Sequence, residues 1–426
     1  MKKLFKKIII AILYLESKIV LNIKRPTIIA ITGTVGKTTT KDIIFAGLKD
    51  NLEVRKSQKG FNSDIGVLLS VLNLETHGAN VIAWVKNIFL GLGTVFVNDY
   101  PEVLVLEVGA NYPGEIKKNA KLLRPDIVIL TRLPKIMAHM EFFENRQHFI
   151  NEKLSLVRNM KKGGSVIYNA DDSTIVKELN QKEFDNCKKI TFGKKGDIIF
   201  DDLKIVENDG CIIGTNLKVG NKRVFLRGVL GSHLGYPVCA LFGVAKVMQI
   251  DEEKVLQSLQ NNFVPSPGRM RVFSGINGST IIDDSYNALP ESVKNGSELL
   301  RQIKVSGRKI YVLGRLAELG EYTEKSYKSA VDAIYKSCDV IFLVNDGGVA
   351  SGFAGELNFK EIHSFNKYGD DYFANTDEVG KFLKGYLKKG DIVIFKGARH
   401  STGFERAIAQ LVREEDKKYL VQDHLE

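Results

Sequence analysis

The stretch Thr27 to Ile44, TIIAITGTVGKTTTKDII, sets a lysine and three threonines behind two glycines that follow a short apolar run. A phosphate group asks for that combination. Successive backbone N–H groups and a helix N-terminus converge on its oxygens, a lysine neutralises charge, and a hydroxyl ligates Mg2+. Gly36, Lys37 and Thr38 supply the end of this pattern. The strict GxxxxGK[ST] spacing would need a glycine at position 31, where Ile31 stands, and an extra glycine, Gly33, appears instead. The residues predict a variant phosphate loop in which Gly33, Thr34, Gly36, Lys37, Thr38 and Thr39 hold a nucleotide.

Such a loop works only between a buried strand and a helix, so the flanking pattern matters as much as the loop. Apolar runs suited to strands covered on both faces recur at Ile28 to Ile31, Val103 to Leu106, Ile127 to Leu130 and Val166 to Tyr168, with helical segments between them. This alternation predicts a mainly parallel sheet with helices on both sides. From Lys188 to Leu230 the texture changes to KITFG, DIIFDDLKIVE, CIIGTNLKVG and RVFLRGVL, joined by turn signals, which reads as antiparallel strands appended to the first domain. NNFVPSPGRMR marks a boundary near Asn262. Beyond it KIYVLG, DVIFLVN and DIVIFKG resume the strand–helix alternation. The expected fold class is α/β: a P-loop central ATPase domain at 26–261 with appended antiparallel strands, followed by a Rossmann-like C-terminal domain at 262–426, with an amphipathic helix at 1–25 ahead of both.

At 426 residues and 44% apolar content the chain can build sizeable cores. Its four cysteines, Cys187, Cys211, Cys239 and Cys338, have neither metal-pair spacing nor disulfide density, which suits a reducing cytoplasm. The net charge of +11 favours an anionic partner. Its lysine doublets lack interleaved aromatics, which argues against a nucleic-acid stripe. The N-terminal MKKLFKKIIIAILYLESKIVLNIKRP has an apolar run too short for a membrane span and no small-residue cleavage site. It reads first as a helix packed on the next domain and second as a reversible contact with a membrane surface. VIAWVKNIFLGLGTVF, Val81 to Phe96, leaves a similar pair of readings, a packed helix or a docking surface for a partner or membrane.

The loop variant TGTVGKTTT, together with GFNSDIGV, LEVGANYPGEI, PSPGR, DDSYNALPES, GRLAELGEYTE and KGARHSTGFE in that order, resembles the Mur ligase family. These enzymes use ATP to add amino acids or a dipeptide to peptidoglycan precursors. LEVGANYPGEI and DDSYNALP most resemble the member that adds D-alanyl-D-alanine to a UDP-linked muramoyl tripeptide. The resemblance implies ATP as cosubstrate, Mg2+ as metal, and a muramoyl peptide and a D-amino acid dipeptide as partners. It also implies an N-terminal domain gripping the nucleotide sugar, which the stretch before Thr27 is too short to supply, so the chain is expected to lack it.

By the same resemblance Lys37 neutralises the β- and γ-phosphates, Thr38 and Glu107 hold magnesium, and His139 is a second metal-binding residue. Lys153 falls where the family carries a carbamylated lysine. His233 lies where adenine is held, although Leu234 and Pro237 replace the usual asparagines. Asn287 is expected at the base, Asp284 near ribose or phosphates, Arg269 at the γ-phosphate, and Lys396 and Arg399 at the incoming carboxylate. Three readings stay open: a D-alanyl-D-alanine-adding ligase, a Mur-type ligase with another amino acid or acceptor, and a non-ligase ATP-binding partner subunit.

Overall fold

The apolar runs of the first half pair side by side, as strands with both faces covered do. The computed structural model describes residues 2–58, 60–78, 80–110, 112–133, 142–208, 211–316, 319, 322–367 and 371–422. Within it, β1 (Thr27–Thr32), β2 (Val54–Lys56), β3 (Val103–Glu107), β4 (Ile127–Leu130), β5 (Ser165–Asn169) and β6 (Lys188–Phe192) form one parallel sheet in the order β2-β3-β1-β4-β5-β6. The chain steps from β1 to the β2 edge, returns through β3, then crosses to β4 on the other side of β1. That reversal beside β1 is where an open α/β sheet leaves a crevice at its C-terminal edge.

The run KITFG, expected among the appended antiparallel strands, is β6 and runs parallel to β5, with Lys188 opposite Ser165 and Phe192 opposite Asn169. An edge strand needs only partial cover, so its mixed KKITF sequence lacks the apolar continuity of the central strands. The remaining three runs, β7 (Phe200–Asn208), β8 (Cys211–Val219) and β9 (Lys222–Arg227), form a separate three-stranded sheet. Two residues, Gly220 and Asn221, join β8 to β9, a connection that only antiparallel neighbours can make.

In the second half β10 (Arg271–Ser274), β11 (Thr280–Asp284), β12 (Lys309–Leu313), β13 (Val340–Val344), β14 (Glu361–Phe365) and β15 (Ile392–Lys396) form a sheet in the order β10-β11-β15-β12-β13-β14. Only β10 is antiparallel to its neighbour. The core here gathers Phe342, Phe395, Phe404, Val393 and Ile281. The chain divides into two compact units, one of Met1–Asp201, Lys218–Val224 and Gly235–Phe263, the other of Asp202–Leu217, Phe225–Leu234 and Val264–Glu426.

Six helices of the first unit matter below: α1 (Lys2–Lys24), α2 (Lys37–Leu48), α3 (Asp64–Leu72), α4 (Val81–Gly93), α5 (Glu115–Leu123) and α6 (Arg146–Arg158). Ile9, Leu13 and Val20 of α1 pack with Leu68 and Leu72 of α3 and Trp84 of α4. Among the described residues no helix is long and apolar enough to cross a membrane.

Candidate active site

The loop between β1 and α2 owes its shape to its two glycines. Gly33 has φ +143° and Gly36 φ +87°, a region side chains rarely enter. A Cβ on Gly33 would lie 2.1 Å from Thr131 Oγ1 and 3.0 Å from the Arg132 amide nitrogen. Thr131, just past β4, donates its hydroxyl to the Val35 carbonyl (2.7 Å), and Thr34 N–H donates to the Arg132 carbonyl (2.8 Å). Gly36 caps α2 without any side-chain hydrogen bond to the first turn. The N–H groups of the first turn, at the positive end of the helix dipole, suit an anion. The Thr34 hydroxyl, buried without a hydrogen-bond partner among the described residues, lies in the same loop. Thr39 is half-buried in the first turn of α2.

Glu107 ends β3 beside β1, its Cα paired with that of Ile31. Its carboxylate accepts from Thr38 Oγ1 at Oε2 (2.9 Å) and from Asn62 Nδ2 at Oε1 (3.1 Å), and its N–H donates to Ser57 Oγ (3.1 Å). Burial pushes the acid's pKa upward, but the charges of Lys37 and Lys41 and the hydrogen bonds from Asn62 and Thr38 outweigh it, so Glu107 is held below its ordinary range. Lys41, buried, donates to the Ser57 carbonyl (2.9 Å). Lys37 donates to the Thr34 carbonyl (3.2 Å) at the loop's own end.

Lys153 comes from α6, whose apolar residues Phe149, Ile150, Leu154 and Leu156 turn that face inward. Its side chain is buried, with the ammonium 4.8 Å from the Phe149 ring centroid. Burial, reinforced by the Lys37 charge and opposed by Glu152, Glu107 and Glu115, lowers its pKa from 10.5 to about 7. Glu152 is otherwise engaged, since its Oε1 accepts the Ile116 and Lys117 N–H groups at the start of α5 (2.7 and 3.1 Å). His139 lies outside the described residues.

The other expected residues belong to the second unit. Asp284 and Lys396 end the neighbouring parallel strands β11 and β15 opposite one another. They form a buried ion pair, Nζ to Oδ2 2.6 Å. Burial lowers the Lys396 pKa, and the Asp284 charge opposes that. Burial likewise holds the His233 imidazole below its usual range, with Asp284 opposing and Lys396 and Arg269 reinforcing, so these four groups form one electrostatic cluster. Arg269 and Arg399 both lie over the ring of Tyr286, 4.3 and 4.7 Å from its centroid. Asn287 Oδ1 accepts the Ala288 N–H (2.8 Å). Asp283, fully buried, accepts from Gly268 N–H (3.0 Å) and Ser285 Oγ (2.5 Å), which fixes the PGR turn to the end of β11.

Sequence reasoning assigned no role to Asn62, Lys41, Asp283 or Tyr286. Asn62 sits in GFNSDIGV, and Asp283 and Tyr286 in DDSYNALP, so the motifs were visible and only the individual roles were not. Lys41 had no signal beyond its place one turn past Lys37.

Two substitutions test this arrangement. Gly33→Ala is expected to weaken ADP binding by about tenfold or more, because the new methyl displaces Thr131 and the loop it holds. Calorimetric titration with ADP measures it, and unchanged affinity would show that the loop relaxes. Lys396→Met strands the Asp284 carboxylate in a buried site and is expected to cost about 3–5 kcal/mol of stability by denaturant unfolding. Asp284→Asn in the same chain should restore part of that loss.

Comparison with known proteins follows the same two-part layout. Residues 91–244 match the Mur ligase middle domain and residues 268–399 the Mur ligase glutamate ligase domain. UDP-N-acetylmuramoyl-tripeptide--D-alanyl-D-alanine ligase of Bacillus subtilis (strain 168) is 27% identical over 373 residues, 87% of this chain and 73% of its own. The same-named protein of Buchnera aphidicola subsp. Baizongia pistaciae is 28% identical, over 92% of this chain and 76% of its own. The crystal structure of MurF ligase from Thermotoga maritima in complex with ADP superposes with TM-score 0.72 at 24% identity, covering 96% of this chain and 84% of that one. MurF from Acinetobacter baumannii gives TM-score 0.73 at 20% identity, covering 94% and 80%. With a phosphate loop and ionised Glu107 in the first unit, a buried charge cluster in the second, and family matches across both, the chain belongs to the Mur ligase family of ATP-dependent acid–amino-acid ligases.

Proposed function

We propose that this ligase adds D-alanyl-D-alanine to a UDP-linked muramoyl tripeptide in peptidoglycan precursor synthesis, in the cytoplasm, with domain limits at 26–261 and 262–426. The observation that carries the chemistry is the convergence of Lys37, Thr38, Glu107 and a buried, weakly basic Lys153 at the C-terminal edge of one parallel sheet. The observation behind the substrate choice is the naming of the two relatives described above, matched over 73% and 76% of their own length.

The reaction has two steps. An acceptor carboxylate oxygen attacks the γ-phosphorus of ATP, ADP leaves, and an acyl phosphate forms. The dipeptide's amine then attacks the acyl carbon, its proton departs, and the C–O bond to phosphate breaks. Little covalent help is needed, so positioning and charge neutralisation dominate. Gly33, Thr34, Gly36 and Thr39 position the phosphates by backbone and hydroxyl groups, and Lys37 offsets the charge gathering on the β- and γ-oxygens. Thr38 and Glu107 offer hard oxygen donors with the acid ionised, which fits Mg2+. A bound Mg2+ would supply charge neutralisation between the β- and γ-phosphates. His139 and a carbamate on Lys153 are assigned to a second ion. In the second unit His233 and Asn287 are assigned to the adenine, Asp284 to the ribose side, Arg269 to the γ-phosphate, and Lys396 and Arg399 to the dipeptide's carboxylate. Lys396 can serve there because its pair with Asp284 occupies one of three N–H donors.

Phosphate release from ATP, measured with UDP-muramoyl tripeptide and D-alanyl-D-alanine singly and together, tests the proposal. Release that needs both, with a pentapeptide product by mass, is the expected result. Turnover without that product overturns the substrate choice and leaves the ligase chemistry to another acceptor or amine.

A further inference from the structure

Helix α4 reverses the ordinary surface pattern. A helix laid on a core turns an apolar stripe inward and a polar face to water. α4 buries Trp84, Asn87 and Gly91, yet the opposite face is Ile82, Val85, Phe89 and Leu92. Ile82 is 83% exposed and Phe89 70%, and Phe96 just past the helix is 84% exposed. Lys86 is its single charged residue.

α1 packs beside α4 and carries an exposed apolar stripe of its own. Ile9, Leu13 and Val20 face inward, while Ile8, Leu15, Ile19 and Ile23, one stripe at helical spacing, stand open. Lys24 Nζ at the end of α1 donates to the Val97 carbonyl (2.6 Å), which ties the two segments together. The one acid of α1, Glu16, is buried against Gly91 of α4, without a hydrogen-bond partner among the described residues. Burial pushes its pKa up to about 7. Neither helix therefore presents an exposed carboxylate, whereas Lys6, Lys7, Lys18 and Lys86 are exposed.

We propose that the joined outer faces of α1 and α4 seat this protein on the headgroup region of an anionic phospholipid bilayer, both helices lying in the membrane plane. Three observations select that occupant. Large apolar side chains with lysines beside them and no exposed acid on either helix make a surface complementary to anionic lipid, where lysine stems reach along the acyl boundary and their ammonium groups stay at the phosphates. The chain's net charge of +11 draws the whole molecule to such a surface. Neither helix is long and apolar enough to span, so contact is by lying on the leaflet.

The test is sedimentation of the full chain with phosphatidylcholine vesicles, with and without about 30% phosphatidylglycerol. Recovery on the anionic vesicles should exceed that on neutral ones by about tenfold and fall as salt is raised. The double substitution Ile82→Asp with Phe89→Asp should lower it by about tenfold or more, with the thermal unfolding midpoint unchanged because both side chains are exposed. Equal or absent recovery on both vesicles, or recovery indifferent to the double substitution, overturns the proposal. So does a wild-type dimer in light scattering that the same substitutions dissociate without any vesicle capture, since the face would then belong to a second copy.

Discussion

Replacing Lys37 with Ala is expected to lower ATP-dependent phosphate release by about a thousandfold, roughly 4 kcal/mol of barrier. The transferred phosphoryl group spreads negative charge over its oxygens as the bond to ADP loosens, so a fixed positive charge acts more strongly there than on bound ATP. Lys37 opens α2 directly behind the loop, and its Nζ donates to the Thr34 carbonyl 3.2 Å away. Its removal also takes away one of the charges that keep Glu107 ionised despite burial. The loss should therefore appear in kcat more than in ADP affinity, and the pH at which activity falls on the acid side should move upward as the Glu107 pKa rises. Glu107 contributes stability that is present above its unfolded-state pKa and lost as pH falls through its depressed folded value, so the variant should also be less resistant to acid. Unchanged turnover in a folded Lys37→Ala protein would remove the loop from the reaction.

The strands that carry the site were legible because central parallel strands are apolar on both faces, and TIIAIT and VLVLE have no competing reading. KITFG was misplaced because an edge strand carries one-sided cover and resembles an antiparallel strand in sequence. Glycine, lysine and threonine at the loop announced phosphate chemistry, since no fold-neutral need sets them in that order. The tuning of the site was not legible. That Asp284 and Lys396 answer each other depends on β11 and β15 being neighbours, although 112 residues separate them in the chain. The stacking of Arg269 and Arg399 on Tyr286 likewise joins distant motifs. The outward apolar face of α4 was visible as an oddity, but its direction required knowing that Trp84 points inward.

Lys153 carries the second large effect. Carbamylation joins the neutral amine nitrogen to CO2 and releases a proton, so it needs an amine that is deprotonated near neutrality. An ordinary lysine, at about 10.4, offers very little of it. Burial, aided by Lys37, brings Lys153 to about 7. Lys153→Ala is expected to reduce turnover by about a hundredfold or more, and short carboxylic acids such as acetate should restore part of it by placing a carboxylate in the vacated space. The carbamate itself is read by carbon-13 resonance of protein equilibrated with labelled bicarbonate, with the signal absent in Lys153→Ala.

The pH dependence of stability separates this from a lysine that is merely buried. Between about pH 7 and 10.5 the unfolded chain holds a proton on Lys153 that the folded chain has released, so stability rises with pH across that window, by at most about 1.4 kcal/mol per unit. Below pH 7 both states are protonated and the full cost of burying the ammonium remains. Lys153→Met should accordingly be more stable than the unmodified protein near pH 6, with the advantage shrinking toward pH 10. Added bicarbonate should stabilise the wild-type chain, because CO2 reacts at a site that only the folded state prepares, and leave Lys153→Met unmoved. An amine that shows this pH slope yet gives no bicarbonate response and no labelled resonance would be a buried lysine held for its charge beside Glu107 and Glu152, and the second anion of the site would have to come from elsewhere.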